Sequence, residues 1–426
     1  MRLNGKSVAL VGFGKSNRAM YEYLVGLGLS PIIRNKAVTD VPSGARLITD
    51  NYLDTSEDVV FRSPVIRPDR ISVKGTLTTE SIYALELTRG VKIGVTGSDG
   101  KTTTSTLIHR ILSAQGLDAK LCGNIGSPII GYAPYTTEKS YTVCELSSFQ
   151  LTCAAPVLDV AVITNITQNH LDWHTDMDEY IEAKRGILRH AKKRVLVYDD
   201  PVLRTLCRDC DGLVLISKER PRHAPSAAQL VYRENGAIYC DGERVLEISD
   251  IRLPGDFNIT NVQCAIGAAR GYASRDAIKQ SVQGFFGVDS RLSLVDTVEG
   301  VSFIDSSIDS TPSRTAATLG ALDITKCVVI LGGYDKNLCY SPLRGALNGA
   351  KAAVLCGESS DKIFGEISGI CKIYREQAFE DAVLRAYSLC SRGDSVVLSP
   401  ACASFDMFDS YIQKSQKFKE TVRGLK

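Results

Sequence analysis

The residues whose spacing most clearly promises chemistry lie in IGVTGSDGKTTT, residues 93–104, where an apolar run meets Gly97, Gly100, Lys101 and three threonines before a helical pattern begins. Glycines let backbone N–H groups approach an anion, and a helix N-terminus adds partial positive charge. Lys101 is therefore expected at the terminal phosphates of a nucleotide, with the Thr102 hydroxyl at Mg²⁺. The common pattern G-x-x-x-x-G-K-[ST] asks for glycine where this chain has Val95, flanked by Gly94 and Gly97. A glycine-rich turn that binds nothing is the bland alternative.

A second set of polar residues stands where apolar runs end. YTVCELSS closes on Glu145 and Ser147, VAVITNITQNH leads to Asn165 and His170, and VSFID ends in Asp305. VVILGGYDK leads to Lys336, and SVVLSPACAS to Ser399 and Ser404. Ligands of doubly wound sheets gather beyond the carboxyl ends of the strands, so a composite site between domains is expected. In LDWHTDMDEYIEAKRGILRH, Thr175 is expected to cap a helix whose Met177, Tyr180, Ile181, Lys184, Ile187 and Leu188 share one stripe. An unpaired ammonium in an apolar face is costly. Either the Lys184 stem packs while its head snorkels to water, or Lys184 points into an active site near Glu145 and His170. His170 and His174 are four apart, but with no Glu base between them and no clear third ligand, zinc is not assigned.

Positioning these groups takes repeated strand–turn–helix units. SVALVGFGKSNRAM starts at Ser7, VKIGVTGSDGKTTT at Val91 and CVVILGGYDK at Cys327. Alternating strand and helix implies parallel sheets covered on both faces. The expected fold is α/β with three doubly wound domains: a Rossmann-like domain at 1–90, a central phosphate-loop ATPase domain at 91–288 and a Rossmann-like domain at 289–426. The first turn, from Gly12 through Gly14, Lys15 and Ser16 to Asn17, begins like a dinucleotide fingerprint but has Asn17 where the third glycine belongs. The next strand runs into Arg34, Asn35 and Lys36, with no acid for a ribose hydroxyl, so a diphosphate-bearing ligand fits better than a nicotinamide cofactor.

With 44% hydrophobic and 23% charged residues and a net charge of +2, the 426-residue chain has the composition of a soluble globular protein and no electrostatic footprint for nucleic acid or a membrane surface. No run of 18 apolar residues appears, and MRLNGKSVALVGFG reads as a turn and strand, not a cleavable signal. A cytoplasmic protein is expected. The 13 cysteines are scattered, many in apolar runs such as CVVILGG, and are expected as reduced thiols; the Cys207 and Cys210 spacing is assigned to packing, not metal.

The motifs GVTGSDGKTTT, GNIGSP, ELSSFQL, ITNITQNHLDWH, YIEAKRGIL, LPGDFNITNVQCA, the Arg291 of DSRL, LGGYDK and LSPACASFDMF occur in the order seen in the Mur ligases. The chain resembles that family over nearly its whole length, and ELSSFQL with LSPACASFDMF resembles its D-glutamate-adding branch. The resemblance implies an ATP-dependent amide ligase of peptidoglycan precursor synthesis, acting on ATP, UDP-N-acetylmuramoyl-L-alanine and D-glutamate through an acyl phosphate, with two Mg²⁺ sites. A monomer is expected. By resemblance, Lys101, Glu145, His170 and Lys184 are catalytic, and Thr102, Glu145, His170 and Lys184 serve the metals. That lysine is expected to be carboxylated by CO₂, which turns an ammonium into an oxygen ligand. ATP contacts are implied at Thr96, Gly97, Ser98, Asp99, Gly100, Lys101, Thr102, Thr103, Asn258, Asn261, Arg291 and Asp305. Gly14, Lys15, Ser16, Asn124 and Ser147 fall at positions for the UDP-linked substrate. Lys336, Ser404 and Tyr411 fall at positions for D-glutamate, with Lys336 pairing a carboxylate.

Some residues depart from the family. Its Asn-Asp-Ser-Lys-Ala-Thr stretch is here DSSIDS, so Ser306 stands for the aspartate and Ile308 for the lysine, with Asp305 and Arg314 as the candidates to replace them. Asn35 and Lys36 stand where an Asp-Thr pair is usual. Three alternatives follow: a ligase adding a different amino acid or a folate polyglutamate synthase, a phosphate-loop ATPase switch, and a nucleotide-sugar binder without catalysis.

Overall fold

The computed structural model describes residues 3–36, 41–171, 173–207, 211–225 and 228–425; Cys210 of the C-x-x-C spacing lies outside them. The chain divides into two compact units, Met1–Ile251 with Ile259–Gln283, and Arg252–Asn258 with Gly284–Lys426.

The first unit holds two main sheets. One has five parallel strands in the order Leu47–Ile48, Ile32–Arg34, Val8–Val11, Val59–Arg62, Thr76–Thr78. Its central strands VALV and VVFR are buried at every position, as helix-covered parallel strands must be. The other has nine strands. Val91–Thr96 lies between Val157–Ile163 and Ser140–Glu145, all parallel, with Glu145 level with Val95 and Ile163 level with Thr96. This register brings Thr96, Glu145 and the Thr164 that follows Ile163 to one edge. Asp118–Gly123 flanks them on one side; His190–Val197, Leu213–Ile216 and Gln229–Glu234 continue parallel on the other before an antiparallel end of Ala237–Cys240 and Glu243–Glu247.

The second unit is a six-stranded sheet in the order Ser293–Val298, Val301–Asp305, Ser395–Leu398, Cys327–Leu331, Ala352–Leu355, Ile373–Arg375, parallel except for the first pair. Alternation of side chains splits its core into two layers. Val329 and Leu331 pack with Leu319, Leu343 and Ile363 on one face, while Val328 and Ile330 pack with Phe379, Val383 and Phe418 on the other. The mixed α/β architecture with helices on both faces is the one the alternating pattern implied.

One capping expectation is corrected. The helix after His170 is Met177–Arg185, and its N-cap is Asp176, whose carboxylate accepts the Glu179 N–H at 2.8 Å. An anionic acceptor also complements the helix dipole. The Thr175 hydroxyl instead donates to Glu179 Oε2 at 2.7 Å.

Candidate active site

The loop after Val91–Thr96 is shaped by backbone that only glycine adopts easily. Gly97 has φ +147° and Gly100, the N-cap of helix Lys101–Ala114, has φ +77°. A Cβ at Gly97 would collide with the Thr164 hydroxyl, and one at Gly100 with the Asn261 side chain. The end of the neighbouring strand, Val157–Ile163, braces the loop. Asp99 N–H donates to Asn165 Oδ1 and Ser98 N–H to Asn165 O, both at 2.9 Å, while Ser98 Oγ donates to Thr167 O at 2.9 Å. Thr164 Oγ1 donates to Asp99 O at 2.5 Å. The sequence marked Asn165 as a strand end but gave it no role; its position just beyond an apolar run was the available signal.

Thr102, in the first helical turn, is buried and donates from Oγ1 to Glu145 Oε2 at 2.7 Å, while Asn124 Nδ2 donates to Glu145 Oε1 at 2.7 Å. Thr96 is buried beneath the loop and Thr103 is half-buried on the helix. Lys101 folds back, its ammonium donating to Gly97 O at 2.9 Å and Ser98 O at 2.7 Å.

Lys184 does not snorkel. It is 1% exposed, lies 4.6 Å above the Tyr180 ring and donates from Nζ to Gly97 O at 2.7 Å, the same carbonyl that Lys101 uses. Burial, and then the like charge of Lys101, push its ammonium well below the ordinary lysine range. His170 is exposed with φ +55°, its ring 5.1 Å from Phe149 in an edge-on contact. His174 instead is buried and bonded to Ser148 Oγ at 2.9 Å, and burial lowers its pKa to about 4.

In the five-stranded sheet, Gly14 is the N-cap of helix Lys15–Gly26, and the Lys15 ammonium donates to Gly126 O. The amide of Asn17, in place of the expected third glycine, ties the turn to Gly12 O at 2.7 Å and Phe61 O at 3.1 Å. Arg34 turns inward onto Glu57 at 2.9 Å. Ser16 is half-buried in the helix's first turn, and Ser147 forms a capping box with Gln150 at the helix Ser148–Leu151.

The remaining residues fall in different places. Asn261 belongs to the first unit beside Gly100, whereas Asn258, in the second, donates to Pro254 O at 2.7 Å. Also in the second unit, Arg291 is half-buried in a turn closed by its N–H to Val288 O at 3.0 Å. Asp305 is buried, accepting from Ser307 N–H at 2.9 Å and Ser415 Oγ at 2.5 Å. Ser306 and Ile308 follow it, and Arg314 reaches Asp309 at 3.1 Å. Lys336 and Tyr411 are exposed, and the buried Ser404 Oγ has no hydrogen-bond partner among the described residues.

A model of the Mur ligase middle domain matches residues 95–269. The chain is 35% identical to the UDP-N-acetylmuramoylalanine–D-glutamate ligase of Clostridium beijerinckii, covering 99% of this chain and 97% of that one. It is 36% identical to the ligase of the same description from Clostridium botulinum strain Alaska E43, over 99% and 97%. The chain belongs to the Mur ligase family. Among solved structures, the fold matches UDP-N-acetylmuramate–alanine ligase from Thermotoga maritima with a TM-score of 0.61 at 18% identity, over 99% of this chain and 100% of that one.

In this Mur ligase the donor set at the phosphate loop suits Mg²⁺. Among the described residues no three His, Cys, Asp or Glu side chains converge as a ready cage. Mg²⁺ beside a nucleotide needs none, because it keeps waters and phosphate oxygens and takes one or two hard protein oxygens. Thr102 Oγ1 and Glu145 Oε2, adjacent at the loop, are such oxygens. Lys184 in its ammonium form is no ligand. Among the described residues no helix is long and apolar enough to cross a membrane.

Proposed function

We propose that this Mur ligase joins D-glutamate to the alanyl carboxylate of UDP-N-acetylmuramoyl-L-alanine, converting ATP to ADP and phosphate. The N–H groups of Gly100, Lys101 and Thr102 at the helix start and the Lys101 ammonium hold the terminal phosphates, and the γ-phosphoryl group passes to the substrate carboxylate. A carboxylate cannot expel oxide, but the acyl phosphate can lose phosphate once the D-glutamate amine has attacked and given up its proton. Thr102 and Glu145 would hold Mg²⁺, which neutralises charge between the two anions.

The observation that favours a ligase over a hydrolytic switch is Lys184, buried beside Lys101 on one carbonyl. Burial favours its neutral amine, the form that adds CO₂ to give a carbamate with release of a proton. A carbamate beside Lys101 replaces like-charge repulsion with attraction and, with His170, would serve a second Mg²⁺. Residues 1–90 are assigned to the UDP-linked substrate, 91–288 to ATP and 289–426 to D-glutamate through Lys336, Ser404 and Tyr411. Gly14, Lys15, Ser16, Asn124 and Ser147 are assigned to the first of these ligands, and Asn258, Asn261, Arg291 and Asp305 to the nucleotide. We place the reaction in the cytoplasm, where ATP and UDP-linked precursors meet.

The test is phosphate release from ATP and Mg²⁺ with UDP-N-acetylmuramoyl-L-alanine, offering D-glutamate, L-glutamate, meso-diaminopimelate or L-lysine, with mass analysis of products. Release only with D-glutamate, with the matching amide, is expected. Release with another amine reassigns the substrate, and release without any amine dependence supports the switch.

A further inference from the structure

We propose that Trp173 and Arg67 are positioning residues that tie the loop after strand Val59–Arg62 to the His170 turn, so that filling the UDP-substrate crevice sets the geometry of His170. The inference rests on the reading of His170 as a metal-side residue and of the Gly12 turn as part of that crevice.

Residues 63–67 adjoin the Gly12 turn. Ser63 N–H donates to Val11 O at 2.7 Å, and Gly12 leaves no room for a Cβ against Ser63 and Ile66. From the turn before helix Met177–Arg185, the Trp173 indole N–H donates to Val65 O at 2.8 Å. Arg67 returns the link: its Nη1 donates to Trp173 O and reaches Glu179 Oε2 at 3.2 Å, and its guanidinium lies 5.3 Å from the centre of the indole. Asp69 holds that guanidinium through Nε at 3.0 Å and Nη2 at 2.9 Å.

The indole ring carries the link onward. Trp173 stacks on Phe149, with centroids 4.3 Å apart and planes 22° apart, and the Phe149 ring stands 5.1 Å from His170. The His170 carbonyl accepts the N–H groups of Trp173 at 3.1 Å and His174 at 2.9 Å. Its φ of +55° is one that an L-residue keeps when its surroundings hold it. Buried Arg62 fixes the same two parts together, donating to Pro64 O and Ile66 O on the loop and to Phe149 O and Thr152 O on the facing segment. A shift of the Val65 carbonyl on substrate binding is therefore passed through one packed ring pair to His170.

Trp173 is the chain's one tryptophan, so intrinsic fluorescence reads this ring directly. UDP-N-acetylmuramoyl-L-alanine, titrated without ATP, is expected to change the emission saturably. Trp173→Ala is expected to lower kcat by roughly 10- to 100-fold with KM for ATP held within about twofold, and Trp173→Phe, which keeps the stack but not the N–H, to recover part of that loss. Arg67→Gln should match Trp173→Phe and serves in place of Trp173→Ala if that variant does not fold. Unchanged emission while calorimetry shows the substrate bound, or a folded Trp173→Ala with wild-type kcat, overturns the proposal. His170→Ala separates the two readings: an active His170→Ala removes the role given to His170 itself, whereas an inactive His170→Ala beside an active Trp173→Ala removes only the role given to Trp173.

Discussion

Glu80 offers a quantitative test of the packing between the two sheets of the first unit. It is 1% exposed at the start of helix Glu80–Leu87, where Oε1 accepts the Ile130 N–H at 2.7 Å and Oε2 the Ser81 hydroxyl at 2.9 Å. Gln150 Nε2 donates to Ser81 Oγ at 2.7 Å, and Gln150 Oε1 accepts the Ser147 N–H at 2.8 Å, so the carboxyl ends a chain of contacts reaching Ser147. Burial, only partly opposed by these hydrogen bonds, raises its pKa from the ordinary 4.5 to about 7. Below 4.5 Glu80 is protonated whether the chain is folded or not. Between 4.5 and 7 the unfolded chain releases the proton while the folded chain keeps it, so stability falls as pH rises, and the loss is complete above 7. At about 1.4 kcal/mol for each tenfold in proton affinity, the full loss is ~3 kcal/mol. Glu80→Gln keeps the shape and the Ile130 acceptor but cannot ionise. Its stability relative to the unsubstituted protein should therefore grow by ~3 kcal/mol between about pH 4.5 and about pH 8. Urea unfolding followed by Trp173 fluorescence, which reports on the same unit, measures the difference. Parallel pH profiles, agreeing within about 0.5 kcal/mol, would refute the reasoning.

Three further outcomes are expected. Lys184→Met removes a buried polar amine while keeping its volume, so thermal stability should hold or rise while amide formation falls by at least about 100-fold; retained ligation would sink the role given to Lys184. Gly100→Ala forces a side chain into a left-handed position against Asn261, and should cost on the order of 1–3 kcal/mol in stability and weaken nucleotide binding measured by calorimetry. Asp305→Asn tests two roles for one buried carboxyl whose pKa burial raises: weaker ATP affinity with unchanged melting is expected if it serves the nucleotide, and the reverse if it serves only the Ser415 contact.

Where periodicity and turn chemistry are local, the sequence carried the structure. VKIGVTGSDGKTTT could be read as strand, loop and helix because its apolar run, its glycines and its threonines lie within 14 residues. Lys184 stood out because a helical stripe exposes any charged residue set in it. The Thr175 cap was misplaced by one residue, as two adjacent side chains could both accept a hydrogen bond, and the anionic Asp176 won.

Residue identities alone thus determined the alternating α/β plan, the glycine-shaped strand–loop–helix at 91–114 and the anomaly at Lys184, since each depends on neighbours in the chain. Tertiary structure alone decided that Asn165 braces Asp99, that Lys101 and Lys184 meet on Gly97 O, that Glu80 is sealed from water and that Trp173 reaches Val65. Those partners are separated by as many as 108 residues, and no local pattern encodes them. The contacts at Asp99 and Gly97 form because parallel strands, brought into register by burial of both faces, collect distant loops along one edge of the sheet, and those of Glu80 and Trp173 form where segments of the two sheets' surroundings pack on each other.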